Sequence, residues 1–521
     1  MQQRWLDLMI MAVYMIAMVS VGIRFALRQT GTESYFVAKR SIPSWAMGFS
    51  IVATLITSVT FVAYPGSSYG SNWALLVPGM MVVVALALVG TVVIPFYRHV
   101  IGMSAYEYFG KRFGRPTRMY SSIAFSLAHF SKMGFIFYLL ALTINSMTGW
   151  NMDMLILGVG IVTVFYTVVG GLEAVIWTDV IQGFVIWVGV FVALGYLLFL
   201  PPGGPSAVIA MAWEHQKFNL GTLGTNFASQ QNVFVLVLYG FFWYLQKYTA
   251  DQTVVQRYLV AKTDKGAIKG VALGAILCVP VWTLFMLAGT CTWSFYKLTG
   301  EVLPKYITKA DQVFPYFLTM HLPSGMAGLF MASLMGAAMS GLASDLNALA
   351  VVGVEDIYRA YRPEATDRMR LRGGKWIVAV AGAMCIVIAI ILAHAPGGAL
   401  LKWFSLSAIV SGGLAGLFML AFLCPRANRQ GIYIGILSAV VFTAWATATS
   451  GEKKFLDMGF NYPWHDLTIG AVGHVVLFVM GYLGSLFFPR EQSSLTEMTL
   501  WKWLKMRKHL PAEELVPAPQ Q

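Results

Sequence analysis

Charge is scarce in this chain. Lys, Arg, Asp and Glu make up 11% of its 521 residues, where a soluble globular domain carries about a quarter. Long polar stretches are also missing, so there is no room for a separate soluble domain, although the length alone would suggest roughly three or four. Cysteine is limited to Cys278, Cys291, Cys385 and Cys424, all in or at the ends of apolar segments. Their spacing fits neither a metal site nor a disulfide framework, and they read as small apolar packing residues. Of the eight histidines, His129 is the one read as deep within an apolar segment, and no His/Glu/Asp metal motif accompanies it. That argues against a membrane-embedded metalloenzyme. A channel is disfavoured too, since no continuous polar pore or filter loop is visible.

What the chain has in abundance is apolar sequence: 58% of residues are hydrophobic. Runs near or above the spanning length of about 20 residues recur throughout. They predict thirteen membrane spans, at 5–27, 44–69, 74–96, 118–147, 153–171, 176–200, 232–253, 266–298, 312–357, 375–394, 399–424, 428–449 and 466–488. The first is too long for a signal-peptide core and lacks a small-residue cleavage site, so it is expected to remain as a helix. The net charge of +13 follows topology. With the N-terminus outside and residues near span ends counted with the nearer side, 26 of the 36 Lys and Arg residues fall on the cytoplasmic side and 8 outside, with Lys132 and Lys247 deeper within spans. This is the positive-inside asymmetry, and it removes the case for a nucleic-acid partner. The expected product is an all-α polytopic protein of the plasma (inner) membrane, one transmembrane domain over 1–490 with a basic cytoplasmic tail over 491–521. Within the tail, "WKWLKMRKHL" (501–510) reads as an interfacial amphipathic segment.

Three spans are irregular. "GFSIVATLITSVTFVAYPGSSYG" (48–70) carries hydroxyls at mid-membrane before Pro65-Gly66. "YGFFWYLQKYTADQTVVQRYL" (239–259) turns from aromatic to polar to charged. "GAAMSGLASDLN" (336–347) places Asp345 at bilayer depth, where a charge costs at least a few kcal/mol. Taken singly, such residues serve close helix packing. Together they fit a pair of broken helices in an inverted-repeat transporter, whose freed carbonyls bind a cation. Spans two to six (44–200) and seven to eleven (232–424) form the two five-helix repeats, and the second and seventh spans open them.

Four motifs, "SAYEYFGKRFG" (104–114), "GGLEAVIWTDVIQG" (170–183), "DQTVVQRYL" (251–259) and "SGLASDLN…VEDIY" (340–358), stand in an order that resembles the sodium:solute symporter family. That family includes sodium/glucose, proline, sialic acid and monocarboxylate cotransporters. The resemblance extends over about residues 5–490 and implies a leucine-transporter-type 5+5 inverted repeat with flanking helices, coupled to Na⁺ and needing no other cofactor. It also implies a main sodium site formed by the carbonyls of Ala53 and Ile56 with Ala337, Ser340 and position 341. Position 341 is Gly where the family has Ser or Thr, so one ligand is lost. Asp345, four residues on and therefore on the same helix face, is a candidate replacement. Its alternatives are a salt bridge to a basic residue or a protonated packing role. Asp179 matches a family aspartate that helps bind a second sodium in some members. Of its companion positions, Ser344 keeps its hydroxyl and 343 is Ala, so a structural or gating role for Asp179 stands beside the ion role.

For the solute, Thr57, Ser58 and Thr60 near the first break are expected to face it, with Trp243 offering a stacking face and Gln246 a polar contact. Lys132 lies near the middle of the fourth span. In sialic acid members an arginine at what looks like the matching place holds the substrate carboxylate. Lysine keeps that charge without the bidentate fork. The expectation is a sugar-like or carboxylate-bearing solute such as a sialic acid, sugar acid or monocarboxylate. An ion pair of Lys132 with Asp179 or Asp345 is the competing role. An anion must itself enter against the membrane potential, so its efficient uptake calls for two cations, with Asp179 and Asp345 as carboxylates for the second. Proton coupling and a transporter-like sensor remain as alternative functions. The sensor is disfavoured because no kinase-like or DNA-binding segment is present. The partners expected are Na⁺, the solute and the bilayer, and a monomer is compatible with all of this.

Overall fold

The computed structural model describes residues 5–27, 31–305, 307–394, 412–451, 454–489 and 498–507. Among these residues there are nine helices long and apolar enough to cross a membrane, and one further span made of two bent halves. In chain order the helices used below are α1 (Trp5–Ala26), α2 (Ser44–Leu55), α3 (Ser58–Gly70), α4 (Leu76–Val100), α5 (Arg115–Thr148) and α6 (Met152–Phe199). The second half follows with α7 (Val233–Ala250), α8 (Gln252–Val260), α9 (Asp264–Thr299), α10 (Met326–Val351), α11 (Asp367–His394), α12 (Leu414–Leu423), α13 (Arg429–Thr449), α14 (Leu467–Leu486) and α15 (Leu500–Arg507). The eleventh expected span is described only from its later part, α12.

Two of the three irregular segments are where helices break, while 336–347 lies within the continuous helix α10. α2 and α3 meet at 61° across Ile56 and Thr57. α7 and α8 are separated by Asp251 alone, in extended conformation. α6 contains the fifth and sixth expected spans and bends at Gly171, whose φ of +61° suits glycine. A Cβ there would sit 2.8 Å from the Tyr35 carbonyl oxygen, and the Tyr35 hydroxyl donates to the Thr167 and Val168 carbonyls at 3.2 and 3.1 Å. The double glycine of "GGLEAVIWTDVIQG" thus admits a close crossing.

One boundary differs from the sequence reading. The ninth span was expected from 312, but Val313–His321 is a separate short helix and α10 begins at Met326. Pro323 has no N–H to continue a helix, and Gly325 has a φ of +94°. α10 is the centre of the protein: from Phe330 to Val351 every residue is buried. The tail helix expected within 501–510 is present as α15, with Trp503 buried and the Trp501 indole donating to the Leu423 carbonyl at 2.9 Å.

Candidate functional site

The first break releases two carbonyls. In a continuous helix, the Thr57 N–H would donate to Ala53 and the Thr60 N–H to Ile56. Here the Thr57 N–H turns to the Thr60 hydroxyl at 3.4 Å, and the Thr60 N–H to the Thr57 carbonyl at 2.9 Å. Ala53 and Ile56, both fully buried, lose the donors a helix would give them. Buried backbone oxygens need partners, and a hard cation suits them. α10 packs on α2, and a Cβ at Gly341 would lie 3.3 Å from Thr57 Cγ2. Position 341 therefore faces the break. Ala337 and Ser340 lie on the same side of α10. The Ser340 hydroxyl donates to Asp179 Oδ1 at 2.6 Å, which leaves its lone pairs able to face a cation.

Asp179 and Ser344 sit in a second polar cluster. The Arg257 guanidinium of α8 reaches Asp179 Oδ2 at 3.0 Å, Ser344 Oγ at 2.7 Å, Thr54 Oγ1 at 2.6 Å and Ser50 Oγ at 2.9 Å. Ser50 also donates to Asp179 at 2.5 Å. All five residues are buried. The positive charge beside Asp179 in this structure is a protein side chain, and it joins both halves of the fold around the base of the first break. "DQTVVQRYL" carries that arginine, a role not read from the motif.

Asp345 answers to a different set of groups. Its Oδ1 accepts from Lys132 Nζ at 3.0 Å and faces His129 Nδ1 at 2.9 Å, while Oδ2 lies 2.9 Å from Lys132 Nζ. The carboxylate is fully buried and committed to an ion pair, the competing role weighed for both Asp345 and Lys132. His129 carries the chain onward: its Nε2 lies 3.3 Å from Asp251 Oδ2, which also takes Lys247 Nζ. Asp251 Oδ1 caps α8 by accepting from the Thr253 N–H at 2.9 Å.

His129, Lys132, Lys247 and Asp251, but not Asp345, line the wall of a cavity of about 620 Å³ beside the breaks. Of the expected solute residues, Thr57, Thr60, Lys132, Trp243 and Gln246 are on its wall. Ser58 is not, because its hydroxyl donates to the Ile136 carbonyl at 3.2 Å. The sequence reading missed His129, Lys247, Asp251 and His474 as wall residues. His474 is buried within α14, so His129 is not the lone deep histidine. For the others a signal was available: Lys247 and Asp251 are four positions apart and His129 and Lys132 three, spacings at which side chains on a helix meet.

The family model described as the sodium:solute symporter family matches residues 35–438. The chain belongs to the sodium:solute symporter family. It is a membrane-spanning sodium-coupled symporter, not an enzyme, with Na⁺ as its coupling ion. It is 31% identical over 486 residues to a sodium/sialic acid symporter of Aliivibrio fischeri, covering 92% of this chain and 93% of that one. A sodium/sialic acid symporter of Proteus mirabilis is 30% identical over 487 residues, covering 93% and 96%. Among solved structures, a substrate-bound outward-open Na⁺-coupled sialic acid symporter superposes with a TM-score of 0.86 at 28% identity, over 94% of this chain and 99% of that one. The nucleobase-cation symporter Mhp1, at 16% identity and a TM-score of 0.56, shares the fold alone. These likenesses establish the inverted-repeat architecture expected from the two broken helices.

Proposed function

We propose that this symporter imports a carboxylate-bearing, sugar-like solute of the sialic acid type. The observation that carries this reading is Lys132: an ammonium at bilayer depth, on a cavity wall that also offers the Thr57 and Thr60 hydroxyls, the Gln246 amide and the Trp243 ring. Its side chain is 29% exposed, whereas its partner Asp345 is wholly covered, so the positive end is the one available to a solute. The names of the sialic acid relatives agree with such a solute. Ala53, Ile56, Ala337, Ser340 and the open face of Gly341 hold the coupling Na⁺ in this reading. Asp179 and Asp345 contribute through the charges around it and Ser344 through its hydroxyl, since each already has protein partners. With the N-terminus outside, the wall residues Tyr239, Gly79 and Gly470 lie in the outer halves of their helices. The buried pair Arg98–Asp264 and the pair of half-buried Arg118 with buried Asp356 then close the cytoplasmic side, as import from outside requires.

Two measurements test this. Uptake of N-acetylneuraminic acid into proteoliposomes at a clamped pH should cease when Na⁺ is replaced by choline. Ser340→Ala should raise the half-saturating Na⁺ concentration about tenfold or more, the scale of one charge-assisted contact. Unchanged uptake in choline would transfer the coupling to protons. In a binding assay, Lys132→Ala should lose roughly ten- to hundredfold in affinity for the acid while retaining affinity for its uncharged methyl ester. Equal loss for both would make Lys132 purely structural and count against an acidic solute.

A further inference from the structure

Among the described residues Lys132 is one of two ammonium groups on the cavity wall, and the other has no role in the proposal above. Lys247 projects from α7, in the second repeat. Its Nζ lies 5.2 Å from the centroid of the Trp243 ring, within cation–π range, and contacts Asp251 Oδ2 at the second break. Each lysine thus has its own carboxylate behind it, Asp345 for Lys132 and Asp251 for Lys247. His129 joins the two carboxylates, 2.9 Å from one and 3.3 Å from the other.

Each ring nitrogen of His129 faces a carboxylate oxygen, so the five groups form one row with both lysines on its cavity side. Arg257 stands outside it, matched by Asp179. The carboxylates are buried, Asp345 at 0% and Asp251 at 5% exposed, while the Lys132 and Lys247 side chains retain 29% and 13%. The lysines are therefore the more accessible charges of the row, with Asp251 at the cavity wall between them and Asp345 withdrawn from it.

We propose that Lys247 is a specificity-determining residue that receives the solute carboxylate together with Lys132, so that the site selects a monoanion over its neutral counterpart. The inference rests on the acidic-solute reading above and adds a second, separate arm to it. A lysine is a point donor and cannot grip both carboxylate oxygens as an arginine fork does. Two lysines from two helices, each held in place by its own aspartate, can take one oxygen each.

The test is binding of N-acetylneuraminic acid and of its methyl ester to purified protein in saturating Na⁺, by titration calorimetry. The variants are Lys247→Met, which keeps chain length over Trp243, and Lys247→Arg, which keeps the charge. The wild type is expected to bind the acid at least about tenfold more tightly than the ester, by the worth of a charged hydrogen bond. Lys247→Met should remove most of that preference by weakening the acid alone, and Lys247→Arg should preserve it. If the wild type prefers the acid and Lys247→Met retains that preference, the second arm is refuted while the role of Lys132 stands. Equal weakening of acid and ester in Lys247→Met also refutes it. Should Lys247→Met fail to fold, loss of the preference in folded Lys247→Arg overturns the inference, and its retention supports a charge requirement. A wild type that binds neither compound, or both alike, removes the acidic-solute reading and this inference with it.

Discussion

Asp345→Asn is expected to lower the melting temperature by the same amount in sodium chloride and in choline chloride. The carboxylate is fully buried and faces His129 at 2.9 Å and Lys132 at 2.9 to 3.0 Å. Asparagine keeps the shape but leaves an ammonium and an imidazole with no anion between them. Removing one partner of a buried ion pair costs about 3–5 kcal/mol, and the lower end applies here because Lys132 still reaches the cavity. A ligand role for Asp345 makes a different prediction. Asp345→Asn would then shift the sodium midpoint, and adding Gly341→Ser would bring it back. Gly341→Ser alone should raise sodium affinity, because the new Cβ would stand 3.3 Å from Thr57 Cγ2 beside the freed carbonyls, a tight fit that a small movement of the threonine relieves. Sodium titrations of melting temperature for the three variants separate the two outcomes.

Arg257→Met should be at least as damaging, and sodium should partly repair it. The guanidinium is 1% exposed and bonds to Asp179, Ser50, Thr54 and Ser344, as well as to the Thr253 carbonyl at 2.5 Å. Its removal leaves Asp179 with the Ser50 and Ser340 hydroxyls as partners and no cation, a loss of about 3–5 kcal/mol by the same reasoning. The space vacated is walled by a carboxylate and hydroxyl oxygens, a donor set suited to Na⁺. The melting temperature of Arg257→Met should therefore rise more steeply with Na⁺ than that of the wild type, with choline as the control. Parallel slopes would mean that the Asp179 and Ser344 cluster does not accept sodium even when emptied of its arginine.

Both predictions turn on groups that were visible one at a time in the sequence. Asp345, Lys132 and Asp179 stood out because charge is expensive at bilayer depth, and that cost says only that each needs a partner. Which partner was not readable. Asp345 and Lys132 are 213 positions apart, and Asp179 and Arg257 are 78 apart. Arg257 stood within the irregular segment 239–259 but was assigned no partner. The α8 segment that carries it turns inward after Asp251, and all nine of its residues are buried. Ser58 failed as a solute contact for a related reason. Hydroxyls at 57, 58 and 60 look equivalent in sequence, but consecutive helical residues point in different directions, and Ser58 turns to the Ile136 carbonyl.

The sequence by itself determined the membrane-spanning class and where the second- and seventh-span helices break, while the carbonyls of Ala53 and Ile56 were implied by the family resemblance. The first two are local properties: apolar run length and helix-breaking composition act within a few turns of chain. Tertiary structure decided which charges meet. It paired Asp345 with Lys132 and His129 and not with the gap at Gly341, gave Asp179 an arginine, and brought Lys247 to the same cavity wall as Lys132. In a medium of low dielectric the energy of a charge depends on neighbours within a few ångströms, and here those neighbours come from distant helices whose packing no local pattern encodes.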